Sequence, residues 1–168
     1  VSPVVAARIA ERAQGNAFFA LEMLRHLREV GAVSHSPDEG GRLAPDAGWD
    51  RADSPPRLRD LIGRRMAGIP ENTRQLIDVA AVSGLEFDGE SVGSVLRRGL
   101  LGVLRQLQAL HRRTGIVVPL PNGFRFAHPL IREVVYSDVA PEFRRAVHRR
   151  LAEHLERLGV VPDPAHVH

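Results

Sequence analysis

Residues 123–136 read GFRFAHPLIREVVY, and the fold turns on how this stretch is parsed. Phe124 and Phe126 flank Arg125, the two-residue period of a strand with one buried face. Ile131, Val134 and Val135 then recur at helical spacing. His128 and Pro129 stand at the junction. Proline suits the first helical position, where its missing N–H would have no intrahelical partner. A strand therefore hands over to a helix at His128. Upstream, residues 116–118 are β-branched, and Pro121, Asn122 and Gly123 carry turn chemistry. Two short extended runs around an Asn-Gly turn predict a β-hairpin. Pro119 and Pro121 limit its pairing and favour a sheet edge.

Outward from the hairpin the sequence is helical. Residues 3–14 space Val5, Ile9 and Ala13 on one face. Gly15 suits the position just past that helix and Asn16 can cap the next, whose stripe is Phe19, Met23, Leu27 and Val30. Residues 34–56 have no period, are rich in Gly, Pro, Asp and Ser, and include the only tryptophan, Trp49. They read as a flexible loop or linker. From Arg57 the period returns with Leu58, Leu61, Ile62 and Met66, then Leu76, Ile77, Ala80 and Ala81. GLEFDGES (84–91) reads as a break with Asp88 as N-cap, followed by Val92, Val95 and Leu96. Leu100, Leu104, Leu107 and His111 mark the helix before the hairpin. A last helix begins near Pro141, with Phe143, Val147, Leu151, Leu155 and Leu158 as its expected core stripe. Residues 161–168 are expected to fray. The fold class is thus mainly α: a winged-helix-like domain over 57–160 with one short β-hairpin, preceded by two helices within 1–33.

Composition excludes several chemistries. Hydrophobic residues make up 43% of the 168, enough for a core. No run of eighteen apolar residues exists, so no membrane span is expected. The chain starts at Val1 with no signal-peptide pattern, and is expected to be part of something longer. Cysteine is absent, which removes disulfides, thiol catalysis and Cys-type zinc sites and fits a reducing, cytoplasmic setting. All 23 basic residues are arginine. Arginine stays charged at any working pH, so the pI is about 10.7 although net charge is only +3. Without lysine the chain holds neither a Walker A loop nor a Schiff-base site. No catalytic residue and no metal site is expected.

His128 is the foremost candidate. A helix N-terminus offers free N–H groups and the positive end of the dipole, so a histidine there can meet a phosphate or simply cap the helix. His26, His111, His148 and His154 fall on arginine-rich helix faces and are weaker candidates. Arg132, one turn past His128, can steady it or pair with a neighbouring acid. Arg105, Arg112 and Arg113 lie on the helix before the hairpin, the helix that enters the major groove in a DNA-binding winged helix. They are the contact residues of an alternative DNA-binding reading, and a plain helical protein-interaction module is a further alternative.

Three stretches carry a family resemblance. ERAQGNAFFALEMLRHL (11–27) resembles the lid motif of large LuxR-type and cyclase-associated STAND ATPases, usually GNPFF-LEEL-R-L. Residues 55–88 resemble the start of their winged-helix domain, and 124–156 resemble its end. The resemblance implies a regulatory segment of an ATP-dependent switch, in the setting of a transcription regulator. It implies an upstream P-loop ATPase domain and downstream helical repeats in the same chain, with DNA bound by a separate C-terminal domain. ADP or ATP would bind only in that full-length parent, and the segment itself would be no enzyme. His128 matches the histidine that contacts the terminal phosphate of ADP in the closed, off state. Gly15, Asn16 and Ala17 match the lid motif, Ala17 standing where the family has proline.

Overall fold

A computed structural model describes residues 3–29 and 56–159. The expected linker (but for Pro56), Trp49, Val30 and the tail over 161–168, which is expected to fray, fall outside them. The chain divides into two compact units, Val1–Arg65 and Met66–His168.

The first unit holds α1 (Pro3–Ala13), α2 (Ala17–Glu29) and nearly all of α3 (Pro56–Met66). Val5 and Ile9 of α1 pack with Leu27 of α2, with Ala20 and Leu24 half-buried against them. The turn between α1 and α2 is built as the sequence dictates. Gly15 takes φ +80°, which favours glycine. The Asn16 side-chain oxygen accepts from the N–H groups of Phe18 (3.1 Å) and Phe19 (3.3 Å). Two of the donors orphaned at the start of α2 are thereby satisfied. Leu58 and Ile62 of α3 are buried.

The second unit is organised around α4 (Glu71–Ser83), which buries Leu76, Ile77, Val79, Ala80, Ala81 and Val82. Its C-terminal half is buried on more than one face, so it must be covered on several sides. Packed on it are α5 (Gly89–Leu96), α7 (Pro129–Asp138) and α8 (Pro141–Arg157), together with α6 (Leu100–Thr114) and β1 (Glu86–Phe87). Asp88 caps α5, accepting from the Ser91 N–H at 2.7 Å. The hairpin is β2 (Val117–Leu120) and β3 (Gly123–Phe126), antiparallel, with Val117 opposite Phe126.

The expected single hairpin is extended by a third strand. β1 pairs antiparallel with β3, giving the order β1-β3-β2, with Glu86 opposite Arg125 and Phe87 opposite Phe124. At two residues it is too short to display a period, so its sequence reads only as a break. The order leaves β2, with Pro119, at an edge. Phe87, Phe124 and Phe126 cluster beneath the sheet, with ring centroids 6.2 Å apart for Phe87–Phe124 and 5.6 Å for Phe87–Phe126. Gly123 makes the third strand fit. A Cβ there would lie 2.6 Å from the Phe87 carbonyl oxygen.

Two core stripes differ from expectation. In α6 the buried residues are Val103, Leu107 and Leu110, while Leu100 is exposed. In α8 they are Val147 and His154, while Phe143 and Leu158 are 39% and 55% exposed. A stripe built on four-residue steps drifts round a helix by about 40° per step, so its ends leave the buried face. His154 lies only about 20° round the helix from Val147. Among the described residues, no helix is long and apolar enough to cross a membrane.

Candidate functional site

The handover from β3 to α7 forms the local setting of His128. The Ala127 N–H donates to the Ile116 carbonyl at 2.8 Å, holding the strand end against the start of β2. His128 itself is extended, with φ −154° and ψ 143°, and Pro129 opens the helix. The His128 Nδ1 accepts from the Leu130 N–H at 3.1 Å. The ring is thus the N-cap of α7, replacing the usual side-chain oxygen with an imidazole nitrogen. An accepting Nδ1 requires the neutral ring to carry its proton on Nε2, as a donor. The residue is 7% exposed.

Arg132 takes neither expected role in what its guanidinium binds. Its Nε donates to the Ala81 carbonyl in the last turn of α4, at 2.9 Å. Its guanidinium also lies over the Tyr136 ring, 5.2 Å from the centroid, a ring shared with Arg144 at 4.7 Å. A cation at carbonyls closing a helix is favourable both as a hydrogen bond and against the dipole. This contact ties α7 to α4.

Gly15, Asn16 and Ala17 lie in the first unit and His128 in the second. Gly15 and Ala17 are exposed, and the space a Gly15 side chain would enter is open. Asn16 acts as helix cap. Arg105, Arg112 and Arg113 are exposed on α6, which His111 fastens to β2 through an Nδ1 to Val117 carbonyl contact of 2.9 Å.

Other polar features escaped the sequence reading. His154, on an arginine-rich helix, is buried, and its Nε2 has no hydrogen-bond partner among the described residues. Between α5 and α8 runs an open groove of about 670 Å³, lined by Ser94, Arg97, Arg150, Glu153, Glu156 and Arg157. Arg150 donates to the Val95 carbonyl at 2.8 Å, capping the end of α5. Burial pushes the Asp78 carboxyl above its ordinary range, and the Arg74 guanidinium 3.1 Å away opposes this only in part. No local sequence pattern marks these positions, because each depends on which helix lies opposite. Among the described residues, no group of three or more His, Cys, Asp or Glu side chains is placed to hold a metal ion.

Comparison with protein-family models, with curated proteins and with solved structures finds no match to this chain.

Proposed function

We propose that this chain is the lid and winged-helix segment of a STAND-type ATP-dependent switch in a LuxR-type transcription regulator, holding the ADP-bound off state. The observation that carries the reading is the connectivity of the second unit. Helix, strand, two helices and hairpin follow in order as α4, β1, α5, α6, β2 and β3, and the first strand pairs with the last. That order and pairing support the winged-helix reading. Supporting it, α7 starts at Pro129, soon after the hairpin, with His128 as its N-cap, so the ring stands at the positive end of the helix dipole, where anions are favoured. The nucleotide would be held by an upstream P-loop domain of the parent protein. This chain has no lysine to hold phosphates in a Walker A loop. A switch needs contacts that exist in one state only, and a histidine meeting the terminal phosphate of ADP supplies one.

The decisive experiment is ADP release from the parent protein carrying His128→Ala or His128→Asn. Asparagine keeps a helix cap but loses the ring donor. Faster release in both variants supports a phosphate contact. Faster release in alanine alone reduces His128 to a cap, and unchanged release in both ends the assignment. ATP turnover by the 168-residue chain itself would overturn the reading outright.

A further inference from the structure

The net charge of +3 conceals a segregated charge distribution. Residues 91–131 contain neither aspartate nor glutamate, yet six arginines: Arg97, Arg98, Arg105, Arg112, Arg113 and Arg125. All 20 acids of the chain lie outside this window. Structurally the window is α5 from its third residue, all of α6, the hairpin and the start of α7.

Folding leaves most of this charge unneutralised. Arg98 is engaged by the start of α4, donating to the Asn72 carbonyl at 2.6 Å and to Gln75 Oε1 at 2.8 Å. The side chains of the other five are exposed and make no hydrogen bond or ion pair within the described residues. Arg125 has an acid, Glu86, opposite it on β1, which offsets part of its field. On α6, no arginine pairs with an acid among the described residues. Leu101, Arg105, Gln108 and Arg112 follow one another along its outer face, all exposed, while Val103, Leu107 and Leu110 are buried on the opposite side. Arg113 stands beside the end of that line, its guanidinium next to Gly68.

We propose that the outer face of α6 is a docking surface for the phosphate backbone of double-stranded nucleic acid, with Arg105 and Arg112 as its two principal contacts. Arg105 and Arg112 are seven residues apart, about 10 Å along the helix axis. That separation matches a major groove about 12 Å wide, whose two walls are phosphate strands. The line contains one leucine and no aromatic residue. Protein interfaces gather apolar and aromatic anchors at their centre, whereas nucleic-acid interfaces are polar and strongly basic. The contact is with phosphates, so affinity is largely independent of sequence and falls steeply with salt. This surface is separate from His128 and does not depend on the nucleotide-switch reading.

The test is fluorescence anisotropy of a labelled duplex of about 20 base pairs, titrated with the full chain over about 50–200 mM salt. The logarithm of the binding constant is expected to fall linearly with the logarithm of salt concentration. The double substitution Arg105→Ala and Arg112→Ala should flatten that slope by about 2, close to 0.9 per phosphate contact. Its melting temperature should match wild type, because neither side chain has a hydrogen-bond or ion-pair partner to lose among the described residues. Arg145→Ala with Arg149→Ala, on the acid-containing α8, should leave binding unchanged. No salt-dependent binding at the lowest salt, or an equal loss from the α8 pair, overturns the proposal. So does polyglutamate binding as tightly as the duplex, which would make an acidic protein surface the occupant.

Discussion

Replacing His128 removes two things at once, and two substitutions separate them. The Nδ1 atom caps α7 through the Leu130 N–H at 3.1 Å, and the ring is almost fully buried. Loss of an N-cap to alanine costs about 1 kcal/mol. Truncating a buried ring leaves unfilled space, adding on the order of 1 kcal/mol for a side chain of this size. His128→Ala should therefore destabilise by about 2 kcal/mol, and His128→Asn, which restores a cap, by about half that. For a chain of this length each kcal/mol moves the melting temperature by about 2–4 °C. The expected drops are then about 4–8 °C for alanine and about 2–4 °C for asparagine. Differential scanning calorimetry of wild type and both variants reads this directly. Equal drops would mean that the Leu130 N–H does not depend on residue 128. No drop in either would mean that the ring is not part of the packed unit.

Three other perturbations follow from single contacts. Gly123→Ala would drive a methyl to 2.6 Å from the Phe87 carbonyl oxygen, a backbone atom with little room to move, and should cost about 1–3 kcal/mol by urea unfolding; an unchanged midpoint would remove β1 from the sheet. Phe126→Ala deletes a ring that is 1% exposed and should cost about 3–5 kcal/mol, so a loss under about 1 kcal/mol would show the aromatic cluster to be loose. Asp78 gives a pH signature. Its carboxyl is raised above 3.8 in the folded state, chiefly by burial, so the folded chain takes up this proton before the unfolded chain does. Its charged form opposes folding, and that cost is relieved as pH falls through the raised value toward 3.8. The stability of wild type relative to Asp78→Asn should accordingly improve on acidification through that window, and a constant difference would refute the shift.

The helical faces were legible because burial on one side imposes a period that survives in the sequence. Val5, Ile9 and Ala13, then Phe19, Met23 and Leu27, then Leu76, Ile77, Ala80 and Ala81 are all buried where their spacing puts them. Local chemistry was equally readable: Asn16 and Asp88 cap their helices through their own side chains, and the hairpin forms at the expected turn residues, although Pro121 and Asn122 make the turn and Gly123 already pairs with Leu120 in the sheet. What escaped depends on partners distant in sequence. β1 owes its existence to pairing with β3, not to its own two residues. His154 is buried because of what lies opposite the Val147 face of α8, while its arginine-rich neighbourhood suggests solvent. Arg132 reaches a carbonyl 51 residues away, which no local pattern encodes. At the candidate site the cap could be read from the His-Pro junction, but the choice of Nδ1 as acceptor could not.

The pairing of Phe87 with Phe124 turns everything between them into a closed loop that contains α5 and α6. Joining the ends of so long a segment has an entropic cost that grows only slowly with length, yet it must be met before the strand contacts give any return. The hairpin, by contrast, is local and can zip on its own turn. Assembly of this unit should therefore end, rather than begin, with the shortest strand. A bare α-carbon at residue 123 is the latch that the last step closes on.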